Sequence, residues 1–153
     1  MNKRHKIIIS VILIIIICAG GYVLNMFGVF SEGNYGEYTV SNTSSHNSPI
    51  NGKTVIFLGS SVTYGYGSLG VSFVEFLQKE DGIIPVKEAV SGTTLANNDE
   101  SSYVARLKTV NAENVDLFIC QLSTNDATQK LPLGKISADE KDDKTVIGAI
   151  NMR

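Results

Sequence analysis

Two cysteines and two histidines are all that the 153 residues contain of either type. Cys18 lies inside a long apolar run and Cys120 inside a short one that reads as a buried strand. Placed there, they do not pair, so no disulfide framework is expected, and neither has metal-ligand spacing. His5 and His46 both precede the first predicted strand. Positive charge is scarce beyond the N-terminus. Setting aside Lys3, Arg4 and Lys6, ten basic residues face fifteen acidic ones, a net charge near -5. That balance argues against nucleic acid or anionic lipid as a partner of this part of the chain.

What the chain does have, at its start, is a long apolar stretch. A basic flank at 1–6 precedes an apolar run from Ile7 to Leu24 that continues to Phe27. Eighteen such residues rise about 27 Å as a helix, close to the hydrocarbon thickness of a bilayer. A run apolar all round, with a basic flank, is not a soluble core helix. Residues 7–27 are therefore expected to anchor the chain in a membrane. The flank stays cytoplasmic and the remainder is extracytoplasmic. A cleaved signal peptide is the competing reading, with Ala19, Gly20 and Gly21 offering a small-residue site, and it would release the protein. Lipoprotein processing at Cys18 is disfavoured by the bulky Ile17 before it.

Residues 28–52 are rich in Gly, Ser and Asn, without a hydrophobic period, and read as a flexible tether. The domain at 53–153 begins abruptly. KTVIFLG (53–59) reads as a buried strand. VSFVEFLQKE (71–80) reads as an amphipathic helix with Phe73, Phe76 and Leu77 on one face, closed by Asp81-Gly82. IIPVKEAV (83–90) reads as a strand in which Pro85 suits an edge or first position. A helix follows through SYVARLKTV, capped by Asp99 or Ser101. VDLFICQLS (115–123) reads as a third buried strand, then a long polar loop to about Lys144, then a helix opened by Thr145. Alternating strands and helices predict a parallel α/β sheet with sites beyond the strands' carboxyl ends.

The glycine-rich stretch FLGSSVTYGYGSLG (57–70) raises three phosphate or nucleophile readings. Gly65 to Gly70 matches G-x-G-x-x-G, with Glu88 following. In a dinucleotide fingerprint, however, the first glycine turns directly off the strand, and here the strand ends six residues earlier. A P-loop fails on spacing and on Tyr66 in place of lysine. G-x-S-x-G fails because Thr63 replaces the second glycine. What remains is Ser61 at a strand-to-helix turn. The other two strand ends carry Gly92, whose backbone N–H is unshielded by a side chain, and Asn125, whose amide can donate. A nucleophile with these donors makes an oxyanion hole suited to acyl transfer. Small residues in ordinary turns are the simpler alternative for each position taken alone.

Together the three blocks resemble the SGNH, or GDSL-type, hydrolases. FLGSSVTYG is similar to the first block, SGTTL to the second and QLSTNDA to the third, in order and over about 53–153. The resemblance implies a flavodoxin-like, doubly wound three-layer α/β/α fold. It also implies a serine esterase or acylhydrolase with Ser61 as nucleophile and Gly92 and Asn125 in the oxyanion hole. The substrate would be a small-molecule or glycan ester, and no metal or organic cofactor is implied. Ser60 and Ser123 replace an acid and a glycine at supporting positions. A third departure is larger: the family's Asp-x-x-His block has no counterpart here, and a serine without a base is a weak nucleophile. Three strands are also few for such a sheet. These features lead to the expectation of an N-terminal fragment, with low activity as it stands. A non-catalytic binding module is the alternative, and a dinucleotide-binding domain a remote one.

Overall fold

The computed structural model describes residues 2–111 and 113–151. Met152 and Arg153, the end of the last predicted helix, lie outside the described residues.

The apolar run forms a 24-residue helix, α1 (Lys3–Met26), capped by the Asn2 side chain on the Arg4 N–H. None of its residues is buried against protein, and it is long and apolar enough to cross a membrane. A helix apolar on every side has no stable exposed arrangement in water. It is a membrane span or a signal sequence, as expected for 7–27.

The domain is built on three parallel strands, β1 (Thr54–Gly59), β2 (Ile84–Ala89) and β3 (Leu117–Cys120), in the order β2-β1-β3. The helices flanking them are the one-turn α2 (Ser61–Tyr64), α3 (Phe73–Asp81), α4 (Tyr103–Leu107), the one-turn α5 (Asn125–Thr128) and α6 (Val146–Ile150). β1 is central, and Val55 through Leu58 are all buried. Alternation along the strand divides them between two faces. Val55 and Phe57 pack with Val74, Ile83, Phe73 and Leu77 on the α3 side. Ile56 and Leu58 lie on the other face, where Leu58 lines a cavity together with Tyr103 and Val104 of α4. The result is the expected three-layer α/β arrangement.

Local rules account for most boundaries. Ser72 and Glu75 form a reciprocal capping box on α3, and Gly82 closes it at φ 69°. Thr145 caps α6 through its hydroxyl, as predicted. The α4 cap differs from expectation. Ser102, rather than Asp99 or Ser101, accepts from the Ala105 N–H, while the Asp99 carboxylate holds the N–H and hydroxyl of Ser101 one turn earlier.

One further expectation is corrected. The predicted third buried strand is an exposed edge. Leu117, Phe118, Ile119 and Cys120 are all exposed, because β1 alone flanks β3 and α3 and α4 lie over β1 and β2. An apolar cavity of about 490 Å³ consequently opens between β3, α4 and α6, lined by Phe118, Leu122, Leu107 and Ile150 among others. The 28–52 segment, which reads in sequence as a flexible tether, has local structure and bonds to the domain. It carries three short 3-10 turns and is laid along α3. At one end Asn34 Nδ2 donates to the carbonyls of Gly28 and Gly67. At the other, the His46 N–H donates to the Glu80 carbonyl and the His46 ring lies 3.1 Å from the Asp81 carboxylate.

Candidate functional site

The carboxyl ends of the strands sit at one end of the sheet. From β1 the chain crosses to β2 on one side, then returns past β1 to β3 on the other. The strand order therefore reverses between β1 and β3, and clefts form at such a reversal.

At the end of β1 the chain turns sharply into α2. Gly59 permits the turn because a Cβ there would overlap the Thr63 side chain. Thr63 is itself fully buried and its hydroxyl donates to the Gln121 side-chain carbonyl at 3.1 Å, joining α2 to the end of β3. Ser60 is fully buried, and its hydroxyl has no partner among the described residues. Ser61 is half-buried and opens α2, where backbone N–H groups lack intrahelical acceptors.

Beyond β2, Gly92 is exposed at φ 82°, a left-handed conformation that glycine adopts without cost, and nothing lies where a Cβ would project. Its carbonyl accepts from Gln129 Nε2 at 2.8 Å. Beyond β3, Asn125 opens α5 and donates from Nδ2 to the Thr93 carbonyl at 2.7 Å. The carboxylate of the buried neighbour Asp126 accepts from the N–H groups of Leu95 and Ala96 at 2.8 and 2.9 Å. The loops after β2 and β3 are thereby locked together. One amide hydrogen of Asn125 is committed to Thr93 and the other has no acceptor among the described residues.

The three predicted site residues are thus gathered unequally. Asn125 is bonded to the residue following Gly92, whereas Ser61 bonds to neither among the described residues. The end of β1, two residues before Ser61, is joined to the β2 side through Arg106, which sequence reasoning missed. The buried guanidinium donates from Nη2 to the Gly59 carbonyl at 2.8 Å and to the Thr93 hydroxyl at 3.2 Å. Nη1 donates to the Glu88 carbonyl at 2.5 Å and Nε to the Ser101 carbonyl at 2.8 Å. Its face lies over the Tyr103 ring, 5.1 Å from the centroid. Burial lowers its pKa, while Tyr103 and Glu88 act the other way. An arginine within a short amphipathic helix reads in sequence as a solvated face. Only the convergence of acceptors from β1 and β2 reveals it as a clamp.

Neither histidine accompanies Ser61. His5 is in the first turn of α1, and His46 is paired with Asp81, where α3 ends, at the amino end of the sheet. The G-x-G-x-x-G stretch does not form the phosphate turn of a dinucleotide fold. Gly65 caps α2 at φ 89° instead of turning off a strand, and Gly67 and Gly70 follow with positive φ in consecutive turns.

No family model matches the chain, and no curated protein matches it. Solved structures share its fold. A crystal structure of a protein from Lactobacillus plantarum, a structural genomics target, superposes with a TM-score of 0.57 at 22% identity, covering 66% of this chain and 47% of that one. Another crystal structure superposes at 0.54 and 21% identity, covering 66% and 48%. The chain spans about half the length of these structures. The class defined by fold and comparison is a parallel α/β protein with a polar cluster at its strands' carboxyl ends.

Proposed function

We propose that the protein is an SGNH/GDSL-type serine hydrolase acting on ester bonds. The observation that carries this reading is the bond from Asn125 to the carbonyl beside Gly92, next to the strand end that presents Ser61. A donor amide, an unshielded glycine N–H and a serine at a helix start are the oxyanion donors and nucleophile of an acyl transfer. Ser61 Oγ would attack the ester carbonyl carbon. The carbonyl oxygen would take up negative charge facing the Gly92 N–H and the free Asn125 hydrogen. Collapse would expel the alcohol and leave an acyl-serine for water to hydrolyse.

The proton of Ser61 needs an acceptor, and neither His5 nor His46 is placed to serve. The chain by itself is therefore proposed to acylate slowly, the oxyanion donors alone supplying a residual rate. With α1 as a retained anchor and the basic flank inside, the site would be extracytoplasmic and its ester a component of the cell envelope.

The test is incubation of the full chain in detergent with p-nitrophenyl butyrate and exogenous imidazole, followed by intact-mass analysis and peptide mapping. A butyryl adduct on Ser61 that is absent from Ser61→Ala is expected. An adduct pattern identical in both proteins would remove Ser61 from the role and leave a non-catalytic binding module as the better reading.

A further inference from the structure

The loop after Ser61 adjoins the exit of α1, and this determines what that loop faces. Phe27, the residue at which α1 ends, has its ring 5.9 Å from the ring of Tyr66. Gly28 follows at φ 74°, so close to the Gly67 carbonyl that a Cβ there would overlap it. Asn34 then bonds both Gly28 and Gly67. The 62–70 loop is thus held against the end of the apolar helix by backbone contacts, not reached through a slack linker.

The height of that contact can be bounded. The apolar run ends at Leu24, and Phe27 lies three residues on, about 4.5 Å further along a helix axis. The headgroup layer on each side of the hydrocarbon core is about 5–7 Å deep. With α1 across a bilayer, Phe27 lies in that layer, and so does the Tyr66 ring packed on it. The loop's side chains suit such a place. Val62, Tyr64, Tyr66 and Leu69 are all exposed, and so is Phe27, which packs on Tyr66. Residues 62–70, VTYGYGSLG, contain no charged residue. Tyrosine at such a boundary keeps its ring in the apolar layer and its hydroxyl in water. Outside a bilayer these side chains would form an apolar patch in water with nothing covering it.

We infer that the Val62–Gly70 segment, α2 and the loop after it, is a membrane-contact surface, seated in the headgroup and glycerol layer of the same bilayer that α1 spans. Contact is through apolar and aromatic side chains. Glu32 and Glu37 lie in the turns next to the loop, so anionic lipid is not required. The inference rests on the anchor reading of α1 and is independent of whether Ser61 is a nucleophile.

The chain contains no tryptophan, so a single introduced indole reports on its own position. The full chain is reconstituted into phosphatidylcholine bilayers with acyl chains brominated either near the glycerol or at mid-chain. Four single-tryptophan variants are compared: Ile14→Trp in α1, Tyr66→Trp and Tyr64→Trp in the loop, and Leu117→Trp at the amino end of β3. Tyr66→Trp and Tyr64→Trp are expected to lose about half their emission to the shallow bromines, as interfacial aromatics do. Leu117→Trp is expected to lose almost none, and Ile14→Trp to respond most to mid-chain bromines. If Ile14→Trp is quenched while both loop variants behave like Leu117→Trp, the contact surface is overturned and the anchor stands. If Ile14→Trp is not quenched, the anchor reading fails and the inference fails with it.

Discussion

The guanidinium of Arg106 donates to the carbonyl of Gly59 at 2.8 Å, linking residues 47 positions apart in the chain. The same side chain reaches Glu88 and Thr93, so one buried cation joins the ends of β1 and β2. It faces carbonyl and hydroxyl dipoles, which suit a planar fork with five donors.

Replacing Arg106 by Leu is expected to be severe, since it leaves the carbonyls of Glu88 and Ser101 without the guanidinium and that of Gly59 with only the longer Val90 N–H bond. Each unmet group costs about 1–3 kcal/mol, so the loss should be at least about 2 kcal/mol. Arg106→Lys should recover only part of it, because an ammonium cannot span the forked set. Urea or thermal denaturation of the three proteins measures this. Equal stability of Arg106→Leu and the parent would refute the clamp.

Two glycines of the site should fail for different reasons. Gly59→Ala drives a methyl into Thr63, which is buried and has no room to shift, so a loss of about 1–3 kcal/mol or more follows from overpacking. Gly92→Ala meets nothing in space, and its cost is the left-handed backbone alone, about 1–2 kcal/mol. Denaturation should therefore rank Gly59→Ala as the more damaged protein. Acyl transfer to Ser61 should fall in Gly92→Ala even where the domain remains folded.

Asn125→Asp tests the join between the second and third strand ends. The substitution sets a carboxylate oxygen against the Thr93 carbonyl, where a donor stood at 2.7 Å. A loss of about 1–3 kcal/mol is expected, larger than for Asn125→Ala, which removes the bond without repulsion. Rates of Ser61 acylation measured by mass should fall in both variants. An unaltered rate in Asn125→Ala would exclude the amide from the oxyanion hole.

Glu75 gives the fold an acid-sensitive contact. Burial by itself would raise its pKa, but the Lys87 ammonium at 2.7 Å and the Ser72 N–H and hydroxyl outweigh burial and hold the carboxyl below its ordinary 4.5. A depressed pKa means that the folded state favours the ionised form. The contribution is fully present above the ordinary value and is lost as pH falls through the lowered one. Glu75→Gln keeps an acceptor for the Ser72 N–H but loses the ionised partner of Lys87, so it should be less stable than the parent by about 0.2–1 kcal/mol at pH 7. The two stability curves should converge below pH 4.5. Parallel curves down to low pH would disprove the assignment.

The local grammar of this chain was legible from residues alone. The β-branched run ending at Gly59, Pro85 near the start of an edge strand, the Gly82 stop, the Thr145 cap and the apolar length of α1 each follow from steric or hydrogen-bonding rules within a few neighbours. The choice of Ser61, Gly92 and Asn125 as site candidates rested on the same locality, because strand ends in a parallel sheet share one edge. What only the tertiary structure decided is long-range. LFIC at 117–120 has the composition of a buried strand, yet burial depends on what lies beside it, and among the described residues β1 is its one strand neighbour at this edge of the sheet. Arg106 and Asp126 read as ordinary solvated charges until backbone donors and acceptors from distant loops converge on them. The 28–52 segment reads as slack because its composition lacks a hydrophobic period, but a few directed bonds from Asn34 and His46 are enough to dock it. Periodicity and turn chemistry act over one or two turns of chain. Partnership across 30 to 60 residues is set by topology, which is why the strand ends were readable in the sequence and the clamp that aligns them was not.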